Sequence, residues 1–170
     1  MLSVKQIGKL LDIWFLVCYN KTYQMKGDCL MKYRNITFED FRAMLLYHRI
    51  VEWDDNKIVL DNGVSITIEE TEQDCCASAG GNFSDVVLDA AITYVSDPKY
   101  VGYGDPGDER GTEAVVKFLH NKNLICQANG DADAGNGGYY YSIASFVIKI
   151  PKKPNEKLIC HFVEDSDGWE

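Results

Sequence analysis

From Ile58 the chain alternates. Ile58-Val59-Leu60 leads into Asp61-Asn62-Gly63, and Val64, Ile66 and Ile68 then fall at every second position. A period of two sends successive side chains to opposite faces of a strand, and Asn and Gly tolerate the positive φ of a tight turn. The stretch reads as a β-hairpin with one apolar face, and that face has to be covered by a neighbouring layer.

The hydrophobic period changes from helical to alternating at residue 50, which divides the chain into a helical N-terminal region over 1–50 and an antiparallel β-rich domain over 51–170. Ser3 with Gln6 forms a capping box, Leu2 and Ile7 can staple across it, and Val4, Ile7, Leu10, Leu11, Trp14 and Cys18 make one stripe of a helix over 4–19. Thr37 with Asp40 gives a second helix start, stapled by Ile36 and Phe41 and running to about Arg49. Beyond the first hairpin, strands are expected over 86–95, 139–150 and 158–163, with a second hairpin over 113–128 turning at Asn121-Lys122-Asn123. The expected fold class is α+β, with two N-terminal helices beside a mainly antiparallel sheet of five to seven strands.

A chain of 170 residues can bury roughly two thirds of the surface its unfolded form exposes, so its stability requires neither a metal nor a disulfide. Its net charge of −9 excludes a general nucleic-acid binder, which needs clustered Lys and Arg for phosphate contact. The apolar run 10–19 contains Asp12 and is far short of the roughly 20 residues of a membrane span. No small-residue cleavage site follows it, so it reads as a helix and not as a signal peptide. Six cysteines in no framework spacing point to reduced thiols in a cytoplasmic protein.

Residue types stop looking like ordinary packing at Glu69 to Ser84, where three acidic residues run into Asp74-Cys75-Cys76 and a Gly-Gly. Zinc would need four ligands in paired spacings, and Cys75-Cys76, His120 with Cys126, and Cys160-His161 do not provide them. A nucleophilic cysteine would need a histidine beside it, while the preceding acids oppose a thiolate. Asp131-x-Asp133-x-Gly135 starts like a calcium loop but has Gly135 at the third ligand position and Ser142 in place of the closing Glu. The Gly-rich stretch 102–107 lacks the Gly-Lys-Ser/Thr ending of a phosphate loop. Alternation puts residues 70, 72 and 74 on one strand face, a pattern suited to paired-carboxylate chemistry and equally to a solvated edge.

Glycines at 135, 137 and 138 let a backbone approach a ligand closely, and Tyr139, Tyr140 and Tyr141 supply flat faces and hydroxyls. The hairpin, Asp74-Cys75-Cys76, Ala91-Ile92 and Asn136-Gly137-Gly138-Tyr139-Tyr140 together resemble a family of small bacteriophage-associated proteins that carry an Asp-Cys-Cys after a hairpin and a Gly/Tyr-rich segment near the end. The likeness covers a little over half the chain, from about Asn56 to Ile150. It departs at Ala77, where the pattern has an acid, and in the helical N-terminal region. The resemblance implies a phage setting and no particular chemistry.

A non-enzymatic binding protein is therefore expected, one that sequesters a small nucleotide-like host defence signal without cofactor or metal. Its ligand residues would be Asp74, Cys75, Cys76, Arg110, Asn136, Gly137, Gly138, Tyr139 and Tyr140. The alternative is an acidic inhibitor of a host protein, and the third reading is a hydrolase using clustered carboxylates. The partner is then a small molecule or a host protein, not a membrane, and a homo-oligomer is compatible with either.

Overall fold

The Asp61-Asn62-Gly63 turn forms as its residue types require. Gly63 takes φ +81°, the Val64 N–H donates to Asn62 Oδ1 at 3.0 Å, and the Leu60 N–H donates to the Val64 carbonyl at 2.8 Å. The strands it joins are β3 (Lys57–Leu60) and β4 (Ser65–Gln73), paired antiparallel. A computed structural model of the chain describes residues 31–102, 111–135 and 140–166, which lie in a unit running from Met31 to Glu170.

These residues are 61% strand and 7% helix, in two sheets with one short helix, which corrects the α+β expectation of two helices beside one sheet. The helix expected over 4–19 lies outside the described residues. The second exists as α1 (Phe38–Leu45), with the capping box in place: Asp40 N–H donates to Thr37 Oγ1 at 3.1 Å. It stops a turn short of Arg49 because Tyr47 adopts φ 69° and the chain becomes extended at Ile50. Of the strand expected over 86–95 only the end forms one, at Tyr94–Val95; Val86 to Ile92 is an irregular segment, with positive φ at Asp89 and at the preceding Asp85. Its backbone bonds to His48, Ile50 and Ile125.

The first sheet has the order β1-β11-β10-β4-β3-β2, with β1 (Lys32–Asn35), β2 (Ile50–Asp54), β10 (Tyr141–Lys149) and β11 (Glu156–Ser166). All its pairings are antiparallel except β1 with β11. The second has the order β5-β9-β8-β6, built from β5 (Ser78–Ser84), β6 (Tyr94–Val95), β8 (Thr112–His120) and β9 (Asn123–Asp133), with β7 (Lys99–Gly102) also on β8. One apolar cluster unites them. Phe41 of α1 stacks on Phe146 at 4.4 Å between centroids, and Phe146 on Phe162 at 4.5 Å. Each of these fully buried rings contributes about 1.5–3 kcal/mol by leaving water.

Glycines let the sheets meet. A Cβ on Gly130 would sit 2.4 Å from the Phe162 ring, and one on Gly81, its cross-strand partner, 2.7 Å from Ile68 Cγ2 and 2.3 Å from the Asn129 carbonyl. The Gly-Gly after the cysteines is thus interior to strand β5. Gly81 makes room there for Ile68 of the opposite sheet, whereas a Cβ on Gly80 would meet nothing within 4 Å.

Candidate binding seam

The chain passes between the sheets after β4 and again after β9, and the described ends of the second passage lie against the first. Strand β4 leaves the first sheet at Gln73, turns through Asp74-Cys75-Cys76-Ala77 with the Ala77 N–H donating to the Asp74 carbonyl at 2.9 Å, and enters the second sheet at Ser78. The return path runs from Asp133 of β9 towards Tyr141 of β10. The Asp74 N–H donates to the Tyr141 carbonyl at 2.9 Å. Gly135 has φ +77°, and a Cβ there would lie 3.0 Å from the Cys76 carbonyl, so this close approach favours glycine twice over.

Ser142 locks the seam. Its hydroxyl is fully buried, donates to the Ser78 carbonyl at 2.8 Å and accepts from the Asp133 N–H at 3.2 Å. One side chain of the first sheet thereby holds two strands of the second, and leaving those buried groups unmet would be costly. Three carboxylates brace the same corner through backbone donors. Glu70 Oε2 accepts from Ala79 N–H at 2.9 Å, Asp133 Oδ1 from Gly135 N–H at 2.6 Å, and Asp165 Oδ2 from Ala134 N–H at 2.8 Å.

Of the residues expected to bind a ligand, Asp74, Cys75, Cys76 and Tyr140 come together at this seam. Arg110, Asn136, Gly137, Gly138 and Tyr139 lie outside the described residues. Both thiols are exposed, with Sγ atoms 3.3 Å apart, and Cys75 has φ 34°. Hydrogen bonding to Cys75, then its charge, a little burial and the Asp74 carboxylate raise the Cys76 thiol above its ordinary range. Tyr140 is raised by the same neighbours, with its hydrogen bond to Cys75 as the largest cause. The Cys76 thiol is therefore held in its protonated form. Cys126 and Cys160 are buried in the core, where burial pushes the first up strongly and the second to about 12.

The histidines are engaged elsewhere. His48 Nδ1 lies 2.7 Å from Asp61 Oδ1, His120 Nδ1 lies 2.7 Å from the Ala91 carbonyl, and His161 sits on β11 opposite Ser145. Among the described residues no group of three or more Cys, His, Asp or Glu is placed to hold a metal ion. The pairing of β4 with β10 skips Thr71, setting Glu70 against Ala144 and Glu72 against Ile143. That bulge breaks the alternation expected to align the acids at 70 and 72.

At Ser78 and Asp133 the seam borders a cavity of about 390 Å³, lined also by Gly111, Glu113, Asp131 and Ala132. Glu113 and Asp131 are direct cross-strand partners, and both are exposed on the outer face of the second sheet. Like charges placed opposite each other destabilise a strand pair, and among the described residues no Lys or Arg forms an ion pair with either. Sequence reading missed this pair, along with Ser142 and Asp165. Counting back from the Asn121-Lys122-Asn123 turn puts Glu113 within one residue of Asp131, and a bulge between Phe118 and Leu119 supplies the remaining step.

A family model described as a domain of unknown function (DUF7448) matches residues 43–147. That span contains both connections of the seam. No curated protein and no solved structure matches the chain. No helix among the described residues is long and apolar enough to cross a membrane.

Proposed function

The chain belongs to the family described as a domain of unknown function (DUF7448), and from that premise we propose that it is a non-enzymatic binding protein whose acidic seam receives a positively charged group of a partner. One observation carries the reading: the cavity at the seam is lined by Glu113, Asp131 and Asp133 with no cation paired to them among the described residues. Asp133 also holds the Gly135 N–H, whereas Glu113 and Asp131 face solvent. A lysine or arginine side chain of a partner entering the cavity would relieve their repulsion. The net charge of −9 would steer such a partner inward and make association sensitive to salt.

These carboxylates favour the acidic protein-interaction reading over the nucleotide-like signal. A phosphate in the cavity would meet them as like charges. In the phage setting that the resemblance implies, the basic partner would be a host protein and binding would inhibit it. The hydrolase reading is the weaker one, because Glu70 is occupied by the Ala79 N–H.

Calorimetric titration with an oligo-arginine peptide, and in parallel with a cyclic dinucleotide, tests the reading. The peptide should bind at low salt, weaken as salt rises, and lose about tenfold or more in affinity with Glu113→Gln/Asp131→Asn. Binding of the nucleotide alone, or peptide binding indifferent to that double substitution, would overturn it.

A further inference from the structure

Two exposed thiols 3.3 Å apart on one tight turn are a chemical feature that a basic partner does not use. Their separation is well beyond the roughly 2.05 Å of a disulfide, and a bond between sequence neighbours is strained. It also discriminates among bound centres. Two sulfur bonds of about 2.3 Å close on 3.3 Å only when they meet at roughly a right angle, whereas a tetrahedral zinc would hold the sulfurs about 3.8 Å apart. Zinc would further require four ligands, and no set of three or more Cys, His, Asp or Glu is assembled among the described residues. A near-right angle belongs to a pyramidal three-coordinate centre with a lone pair, the geometry of a trivalent metalloid.

We propose that Cys75 and Cys76 form a two-sulfur chelate for trivalent arsenicals and related soft trivalent metalloid hydroxides, a site separate from the acidic cavity. Soft thiol ligands select soft centres, and the reaction is a condensation that leaves the oxidation state unchanged. An organic arsenical R–As(OH)2 forms two As–S bonds and loses two As–O bonds, and each thiol proton leaves with a hydroxide as water. No oxidant or reductant is needed. The neutral arsenical is not repelled by Asp74. The backbone has already set the bite, since Cys75 holds its positive φ and the Ala77 N–H closes the turn on Asp74. Tyr140, against Cys75, offers a hydroxyl to the third substituent where that is a hydroxide, as in the metalloid hydroxides.

The test uses the full chain, reduced, with phenylarsine oxide as probe and intact-mass measurement as readout. One phenylarsenic group per chain should add with loss of water, and a small vicinal dithiol should remove it. Cys75→Ser and Cys76→Ser should each weaken binding about a hundredfold or more, because the second sulfur then no longer acts at high effective concentration. Cys18→Ser/Cys29→Ser should leave the adduct in place. Both seam substitutions are at exposed positions, and an unchanged unfolding midpoint verifies that each variant is folded. No adduct on the wild type, an adduct that survives Cys75→Ser, or one lost with Cys18→Ser/Cys29→Ser would each overturn the proposal. None of these outcomes bears on the binding of the arginine peptide.

Discussion

Strand β4 ends in two turns of opposite character. At its start, every polar side chain of Asp61-Asn62-Gly63 has a partner: Asp61 meets His48, Asn62 Oδ1 accepts from the Val64 N–H, and Asn62 Nδ2 lies 3.1 Å from His48 Nε2. At its far end, Asp74-Cys75-Cys76 leaves both thiols exposed, and among the described residues they meet each other and Tyr140. Cys75 there holds a positive φ without being glycine, a conformation that costs energy and persists only where the surroundings impose it. One turn is closed on itself and the other is held open by the structure around it. Closure indicates a turn that only reverses the chain, and imposed exposure indicates a site.

The largest effect is expected where the two sheets meet. Gly130→Ala would drive a methyl into the Phe162 ring at 2.4 Å, and overpacking of this kind costs about 1–3 kcal/mol. Chemical denaturation should show a lower midpoint at unchanged slope. Ser142→Ala acts on the far end alone. It strands the Ser78 carbonyl and the Asp133 N–H, at a cost of about 1–2 kcal/mol. Amide exchange should rise around residues 74–79 and 133–135 and stay unchanged around 60–64. Equal loosening at both ends would mean that Ser142 supports the whole sheet and not the seam.

Sequence made the closed end legible and the open end only partly so. The Asp61-Asn62-Gly63 turn, the Thr37 cap and the Asn121-Lys122-Asn123 hairpin are local devices, each fixed by the φ preference or hydrogen-bonding reach of two or three neighbouring residues. Strand β5 was hidden because Gly80 and Gly81 have poor strand propensity, and at least Gly81 is there for the opposite sheet. Val86 to Ile92 misled in the other direction: its apolar composition suits a strand, but the positive φ of Asp85 and Asp89 breaks extension. The nearness of Tyr140 to the cysteines follows from their positions between strands. The Glu113–Asp131 pair depends on a bulge-shifted register that no local pattern encodes.

Smaller substitutions sharpen the contrast. Gly63→Ala forces a side chain into φ +81° and within 2.9 Å of Pro151, which should cost about 1 kcal/mol. At the open end the effect should be smaller, with Cys75→Gly changing stability by no more than about 0.5 kcal/mol, because glycine accepts the φ that Cys75 already holds. Matched thermal or denaturant midpoints of the two variants decide this. A Cys75→Gly loss as large as that of Gly63→Ala would mean that the thiol is part of the packing.

The smallest effect concerns the charge that seals the closed end. Asp61 has its carboxyl held below the ordinary carboxylate range, chiefly by its hydrogen bond to His48. A folded-state pKa lower than the unfolded one adds stability above the unfolded value, about 3.9, and that stability is lost as pH falls through the folded value. Asp61→Asn should therefore be less stable than the parent at pH 5, and the two should converge as the pH is lowered towards about 2. The side chain is 38% exposed, so solvent screening keeps the gap modest and salt should narrow it. Denaturant midpoints of the two proteins across that pH range give the measurement. Curves that stay parallel down to the lowest pH would show that His48 holds the substituted amide as well as it holds the carboxylate, and that hydrogen bonding, not charge, closes the turn.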